Sequence, residues 1–176
     1  DLGADFRLED EAQYKEWYGG SFEDHVLHSE AVYALPELFR EQIVGKKLIS
    51  CPGCYPTASE LALFPAIKRG LVETDAIVID AKSGVTGAGR DHKPFAECNE
   101  GMSAYKVAQH RHTPEIEQTL MKAANKRIRL TFVPHLLPIN RGVSCTCYAR
   151  LKLGATEERI REAYEDFYKD EYFIRL

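Results

Sequence analysis

A regular alternation of apolar and polar residues over positions 143–153 limits what this chain can fold into. From Val143 to Leu153 every second side chain is apolar or a thiol, and mostly polar side chains stand between them. This period of two is that of a β-strand with one face on a hydrophobic core. It predicts one long strand that buries Cys145 and Cys147.

The rest of the sequence consists of short apolar runs interspersed with helical patterns. Helices are predicted over 11–18, 57–69, 113–124 and from Thr156 onward, and strands over 47–50, 76–81 and 128–133. Pro65 lies inside the second helix and predicts a kink or a break, because proline lacks the N–H that bonds the carbonyl four residues back. Thr113 is the predicted N-cap of the third helix. This order of elements predicts an α/β fold of the α+β kind, a mixed β-sheet covered by helices.

Composition and charge argue against several classes of function. The 176 residues carry a formal net charge of −4 and a pI near 5.9, which gives no electrostatic reason to expect a nucleic acid or an anionic membrane as a partner. No apolar run approaches the roughly 20 residues that span a bilayer, and no signal-peptide pattern is present. Five cysteines, an odd number, do not suggest a disulfide framework in a chain of this size. We therefore expect a cytoplasmic protein without nucleic-acid or membrane partners.

The stretch from Ser50 to Thr57 brings a thiol to a tight turn just ahead of a helical pattern. Pro52 and Gly53 form the turn, and Cys54 follows them. The free N–H groups and the positive dipole end of a helix N-terminus stabilise an anion, and they can lower a cysteine pKa from about 8.5 to roughly 3.5–7.5. We expect Cys54 to be a nucleophilic thiolate.

Candidate proton carriers for such a thiol lie within residues 110–115. His110 and His112 stand at the start of a predicted helix, and a histidine with its unperturbed pKa of about 6.5 is suited to moving a proton at neutral pH. His112 is the first choice and His110 the reserve. Glu115 either orients a histidine or favours the helix N-terminus through its charge.

A glycine-rich segment over 83–90 follows the strand predicted at 76–81. Taken alone, it is either a turn between elements or an anion-binding loop, since glycine permits close approach of the backbone to a ligand. Guanidinium groups bind carboxylate and phosphate through two parallel N–H donors. Arg90, Arg111 and Arg141 are therefore candidates to hold an anionic substrate.

Five stretches of this chain, in the same order, resemble N-acetyl-γ-glutamyl-phosphate reductases. They are residues 1–8 (DLGADFRL), 52–57 (PGCYPT), 83–90 (SGVTGAGR), 110–116 (HRHTPEI) and 138–142 (PINRG). The resemblance implies an NADP(H)-dependent oxidoreductase that reduces N-acetyl-γ-glutamyl phosphate to N-acetyl-L-glutamate 5-semialdehyde and phosphate in arginine biosynthesis. It also implies a small-molecule substrate and a homo-oligomer, either a dimer or a tetramer.

The same resemblance implies roles for individual residues. Cys54 would displace phosphate to form a thioester, which accepts hydride from a nicotinamide, and His112 would supply the proton. The residues implied at the substrate are His110, Arg111, Glu115, Arg90 and Arg141, and those implied near the nicotinamide are Ser83 and Gly84.

The resemblance also predicts domain boundaries. Residues 1–50 would be the tail of a Rossmann-type nucleotide-binding domain, and residues 51–176 a catalytic and dimerisation domain that is truncated at its C-terminal end. No Gly-x-Gly-x-x-Gly fingerprint is present in the sequence. We therefore expect a fragment that lacks the main phosphate site of the cofactor and is inactive by itself.

Cys51 departs from the family pattern, which usually has asparagine at this position, and it completes a Cys-x-x-Cys motif with Cys54. That motif leaves open a metal knuckle or a dithiol redox site, although a zinc site needs about four ligands and no metal ligands are predicted. A reductase of aspartyl phosphate or of a carrier-linked aminoacyl phosphate would need the same machinery. A third class is an interaction domain that keeps the fold without catalysis.

Overall fold

A four-stranded mixed sheet forms the centre of the computed structural model, which describes residues 1–88 and 95–176. Its strands are β3 (Ile77–Gly84), β4 (Ser103–Ala104), β5 (Leu130–Leu137) and β6 (Val143–Tyr148), in the spatial order β4-β5-β3-β6. The two long strands β3 and β5 are parallel, while β6 and β4 pair antiparallel with β3 and β5. The predicted mixed sheet is confirmed.

Two helices cover one face of this sheet, α4 (Cys54–Lys68) and α6 (His112–Ala124). The core between them contains alternate residues of β3, which point to the helices because side chains alternate along a strand. A third helix, α7 (Glu157–Tyr168), packs against α4. The members of this core include Leu63, Ile67, Ile77, Ile79, Ala81, Ile116, Leu120 and Phe132. No described helix is both long and apolar enough to cross a membrane.

The first fifty residues form small elements that lead to the predicted nucleophile. They are α1 (Glu11–Tyr18), α2 (His25–Glu30), β1 (Val32–Tyr33), α3 (Pro36–Ile43) and β2 (Ile49–Ser50), while a one-turn helix, α5 (Phe95–Cys98), follows later in the chain. The predicted helix over 11–18 is confirmed, and it ends at Gly19 in a left-handed conformation. β1 and β2 pair in parallel, and β2 runs directly into the turn before Cys54.

Of the kink or break predicted at Pro65, the break is wrong, because α4 continues through this residue to Lys68. Pro65 cannot donate to the carbonyl oxygen of Leu61, four residues earlier. The hydroxyl of Tyr168, on α7, donates to that oxygen at 2.6 Å. A side chain from a neighbouring helix therefore replaces the bond that proline removes.

Several boundaries predicted from the sequence also change, two of them as follows. The strand predicted over 143–153 ends at Tyr148, and the chain then leaves the sheet to pair with residues 71–73. Leu151 and Leu153 are consequently exposed rather than buried. Helix α6 begins at His112, one residue before Thr113, whose N–H instead donates to the carbonyl of His110.

Candidate active site

Cys54 is the first residue of α4, because the helix begins three residues before the start predicted at Thr57. Gly53 is the N-cap residue, and its carbonyl accepts hydrogen bonds from both the N–H and the hydroxyl of Thr57. The thiol is accessible through a cavity of about 800 Å³. This cavity is large enough for a small acyl phosphate beside part of a second ligand.

The pKa of the Cys54 thiol does not follow the expectation from its position. Partial burial in the cavity raises this pKa above its ordinary value, and the charge of Glu115 adds to the rise. The N–H groups of Tyr55 and of Cys54 itself act in the opposite direction, as the helix N-terminus predicts, but they are outweighed. The free protein therefore holds Cys54 as a thiol, and a base must accept its proton.

His112 lies against the backbone next to Cys54. A Cβ atom added to Gly53 would be only 2.3 Å from Nε2 of His112, so the imidazole occupies the space that a side chain at position 53 would need. Burial lowers the pKa of His112 to about 3, and that of His110 to about 4. Both imidazoles are therefore neutral at neutral pH, and their low pKa values make them weaker bases than a free histidine.

His110 is tied to the start of α6. Its Nδ1 accepts a hydrogen bond from the N–H of His112 at 3.1 Å, and the two rings lie 4.7 Å apart between their centroids. Since Nδ1 of a neutral imidazole accepts here, the proton of His110 is on Nε2. His110 therefore offers a donor, which suits an oxygen of a substrate, and both histidines line the cavity.

Glu115 is hydrogen-bonded to the turn that precedes Cys54, which we call the nucleophile turn. Its Oε1 accepts the N–H of Gly53 at 2.8 Å, and its Oε2 lies 3.5 Å from a guanidinium nitrogen of Arg7. The side chain is fully buried in the first turn of α6. Burial raises its pKa, while Arg7 and the N–H of Gly53 counteract the rise. The contact to the turn is a role that the sequence did not predict.

The described lining of the cavity carries positive charge and no carboxylate. Arg7, Lys106 and Arg111 line it, and the guanidinium of Arg111 lies 5.2 Å from the ring centroid of Tyr18. This stacking holds Arg111 at the cavity by a cation–π contact. A cavity with such a lining favours an anionic ligand.

The other predicted site residues divide into three groups. Ser83 lines the cavity, whereas Gly84 packs against the chain itself, because an added Cβ would lie 2.8 Å from the backbone of Asn140 and Arg141. The side chain of Arg141 is not among those lining the cavity, so anion binding by Arg141 stays a prediction. Arg90 lies outside the described residues.

Sequence reasoning missed Arg7, Lys106 and two tyrosines of the site. The hydroxyls of Tyr55 and Tyr105 lie 3.1 Å apart, and both residues line the cavity. Arg7 stands in the first of the five motifs, and Tyr55 in the second, so the motifs contained a signal for two of the four. Lys106 and Tyr105 lie in a segment without any such pattern.

The Cys-x-x-Cys alternative obtains no support from the described residues. They contain no group of three or more histidine, cysteine or acidic side chains arranged to hold a metal ion. All five cysteines are free thiols.

The fold and the site define a class: an α/β domain with a thiol at a helix N-terminus, a neutral histidine beside it and a cationic cavity. The model of the family "Semialdehyde dehydrogenase, dimerisation domain" matches residues 54–176. The chain belongs to this family. The matched range begins at the proposed nucleophile and contains the sheet and the helices that cover it.

Relatives of high identity carry one name. An N-acetyl-gamma-glutamyl-phosphate reductase of Clostridium novyi is 52% identical over 179 residues, and those of Moorella thermoacetica and Brachyspira hyodysenteriae are 50% and 48% identical. Each match covers all of this chain, and 52%, 52% and 53% of the respective relative. The chain therefore spans about half the length of the curated relatives it matches.

Solved structures share the fold at low identity. An aspartate semialdehyde dehydrogenase from Francisella tularensis superposes with a TM-score of 0.61 at 15% identity, over 78% of this chain and 52% of that one. The enzyme from Candida albicans, solved with NADP, has a TM-score of 0.54 at 12% identity, over 76% and 44%. At such identities the likeness concerns the fold.

Proposed function

We propose that the protein containing this chain reduces N-acetyl-γ-glutamyl phosphate to N-acetyl-L-glutamate 5-semialdehyde and phosphate with NADPH, a step of arginine biosynthesis. The observation that carries the proposal is the Cys54 thiol at the start of α4, beside neutral His112 and inside a cavity with cationic lining. The names of relatives that are about half identical over the whole chain support this choice among acyl phosphates.

In this proposal Cys54 acts as the nucleophile and His112 as the base that activates it. His112 takes the thiol proton, and the sulfur attacks the acyl carbon, so that a C–S bond forms and the C–O bond to phosphate breaks. The contact of its imidazole with Gly53, the residue before Cys54, supports this role. The resulting thioester is electrophilic enough to accept a hydride.

The same pair completes the reaction. Once the thioester carbon has accepted a hydride, the oxyanion of the tetrahedral intermediate re-forms the C=O bond as the C–S bond breaks. Protonated His112 returns its proton to the departing sulfur, so that the aldehyde and the neutral Cys54 thiol are released. His110, whose Nε2 carries a proton, is a candidate donor to the oxyanion. Arg7 and Arg111 are candidates to hold the phosphate and carboxylate of the substrate.

For NADPH, which supplies the hydride when it is bound, the chain offers part of a site. Ser83 and Gly87 line the cavity, and an added Cβ on Gly87 would lie 2.9 Å from the hydroxyl of Ser83. Because these two residues are small, their side of the cavity leaves room for a flat ring. Gly84 supports it indirectly, by packing on the loop that contains Arg141.

The proposal keeps the domain division that the sequence predicted. Residues 1–50 would belong to the nucleotide-binding domain, and 51–176 to the catalytic and dimerisation domain. In support, the family model begins at residue 54, and the parallel pair of β1 and β2 precedes it. A homodimer through the family's dimerisation domain is also part of the proposal.

Site-directed variants of the full-length protein test the reaction. Cys54→Ser should lower kcat at least about 1,000-fold, because a hydroxyl is a far weaker nucleophile, and His112→Asn about 100- to 10,000-fold. Cys98→Ser, outside the cavity, is the control thiol variant. The assay follows NADPH oxidation with N-acetyl-γ-glutamyl phosphate and, in parallel, aspartyl phosphate. Full activity of Cys54→Ser, or a higher kcat/KM with aspartyl phosphate, would contradict the proposal.

A further inference from the structure

A tyrosine hydroxyl bridges two buried carboxyl groups beneath the nucleophile turn. Oη of Tyr33 lies 2.8 Å from Oε1 of Glu60 and 3.0 Å from Oε1 of Glu115. The two glutamates are fully buried, and Tyr33 is 3% exposed. They come from three separate elements, β1, α4 and α6, which meet at this point.

If Glu115 is ionised, only one arrangement of protons satisfies the hydrogen bonds that join Tyr33, Glu60 and Glu115. Glu115 faces the guanidinium of Arg7 and accepts the N–H of Gly53, both of which favour its carboxylate. A phenol has one proton, and Tyr33 gives it to Glu115. Oε1 of Glu60, 2.8 Å away, must then carry a proton and donate to Tyr33.

The surroundings of Glu60 favour its neutral form. Burial raises its pKa well above the ordinary value, and the neighbouring charge of Glu115 raises it further. The opposing influences of Tyr33, Thr119 and Lys122 are smaller. Its second oxygen, Oε2, has no hydrogen-bond partner within the described residues. An ionised carboxylate in such a place would be costly, whereas a protonated acid needs only the one acceptor that Tyr33 provides.

We propose that Tyr33 and Glu60 are positioning residues for the nucleophile, joined in a chain in which Glu60 donates to Tyr33, Tyr33 to Glu115, and Glu115 accepts the N–H of Gly53. This hydrogen-bond chain carries one negative charge, on Glu115, and one fixed proton, on Glu60. Its functional part rests on the proposed function. Beyond that function, a neutral acid that is remote from the substrate, Glu60, fixes the turn before Cys54.

The connection to the reaction is geometric. Glu115 fixes the amide of Gly53, and Gly53 is in van der Waals contact with His112 and precedes Cys54. A shift of Glu115 therefore moves the nucleophile and its base relative to each other. Misplacement of reacting groups by about 1 Å can cost on the order of 100-fold in rate.

Infrared spectroscopy locates the proton without any assay of activity. A protonated carboxylic acid has a C=O stretch at higher frequency than a carboxylate, and the full-length protein should show this band at pH 7. Glu60→Gln should remove the band, and Glu115→Gln should keep it. A band that survives Glu60→Gln, or one that disappears in Glu115→Gln, places the proton elsewhere and overturns the proposal.

Kinetics tests the positioning role with a conservative and a disruptive variant. Gln at position 60 can donate an N–H to Tyr33, so Glu60→Gln should keep kcat within about 3-fold. Glu60→Leu and Tyr33→Phe break the chain and should lower kcat about 10-fold, with KM changed less than about 3-fold, since neither residue lines the cavity. The matched control is Glu117→Gln, a half-buried carboxyl on α6 outside the chain.

The outcomes separate the positioning role from the proposed function. If Glu60→Gln is as slow as Glu60→Leu, or if Glu60→Leu is as fast as the native protein, the positioning role is wrong. If the native protein reduces no acyl phosphate at all, the proposed function fails. In that case the infrared band and the rate of Cys54 alkylation by iodoacetamide in the same variants still test the hydrogen-bond chain. Glu60→Gln should again resemble the native protein more closely than Glu60→Leu and Tyr33→Phe do.

Discussion

At Gly53 the absence of a side chain lets the imidazole of His112 lie against the backbone of the residue before Cys54. The backbone of Gly53 is in the ordinary extended region, with φ −68° and ψ 166°, so any residue can adopt this conformation. An added Cβ, however, would be 2.3 Å from Nε2 of His112 and 3.0 Å from a nitrogen of Arg7. Glycine is required here for space rather than for flexibility.

We therefore predict that Gly53→Ala displaces His112 and lowers kcat by about 100-fold. The overpacking should also lower the free energy of unfolding by about 1–3 kcal/mol, because the ring is held between Tyr55 and His110. Steady-state kinetics and urea denaturation of the full-length protein measure the two effects.

The matched control for this substitution is Gly20→Ala. An added Cβ at Gly20 meets nothing within 4 Å, so this variant should change neither kcat nor, beyond about 0.5 kcal/mol, the stability. A Gly53→Ala protein with native kcat would show that His112 is not needed where the structure has it.

At the level of single residues, the sequence predicted which groups meet in one cavity better than it predicted their electrostatic state. The turn before Cys54 and the histidines were recognisable as motifs, and the cavity brings them together. The direction of the Cys54 pKa was not predictable, because it depends on how far the cavity excludes water and on the charge of Glu115, which comes from another helix. Arg7 was missed for a similar reason: nothing local shows that it reaches Glu115, 108 positions later in the sequence and 3.5 Å away.

At the level of elements, the contact between α4 and α7 explains how a proline is accommodated within a helix. The hydroxyl of Tyr168 donates to the Leu61 carbonyl that Pro65 leaves free, and the hydroxyl of Tyr164 donates to the next carbonyl, that of Ala62. α7 therefore stabilises the second half of the helix whose first residue is Cys54.

We predict that Tyr168→Phe lowers the free energy of unfolding by about 1–3 kcal/mol, the cost of leaving a buried carbonyl without a donor. Chemical denaturation in urea measures this as a lower midpoint at an unchanged m-value. Tyr172→Phe, at a tyrosine that is 76% exposed, serves as the control and should have no effect.

A double-mutant cycle tests the reason for this loss. Pro65→Ala restores an N–H that can bond Leu61, so Tyr168→Phe should cost less in the Pro65→Ala background than in the native protein. Equal losses in the two backgrounds would mean that the tyrosine stabilises α4 by packing alone.

The elements themselves were largely predictable, and their ends were not. Short runs of apolar and β-branched residues identified β3 and β5, the terminal glycines marked the end of α1, and apolar residues at helical spacing identified α7. The end of β6 at Tyr148 depends on pairing of the following residues with positions 71–73, a contact between distant parts of the chain. The uninterrupted α4 likewise depends on Tyr168, which no local pattern around Pro65 could show.

At the level of the whole molecule, the sheet has one face on the core, and no described segment covers its other face, which we call the open face. The strand register places Thr131, Val78 and Tyr148 side by side in one row of the open face. Tyr148 is 55% exposed and Val78 37%. A second row contains Asp80, whose carboxylate forms an ion pair with Lys82 and lies 3.2 Å from Nδ1 of His135. A face with an apolar row next to paired charges has the character of a protein–protein interface.

The name of the family and this open face together lead us to predict that the homodimer forms through the sheet. Tyr148→Asp would place an unpaired carboxylate in the apolar row, and it should raise the dissociation constant of the dimer at least about 30-fold, the loss of about 2 kcal/mol typical of a central interface residue. Sedimentation equilibrium of the full-length protein measures the change.

The control for Tyr148→Asp is Tyr172→Asp, which introduces the same charge at an exposed tyrosine outside the sheet. It should leave the dimer intact. If both variants dimerise like the native protein, the interface lies elsewhere, and the open face must be covered by another part of the protein.

If only Tyr148→Asp dissociates, its kcat shows whether dimerisation is needed for activity. We expect a loss of no more than about 3-fold, because Cys54 and His112 are on α4 and α6, on the opposite face of the sheet.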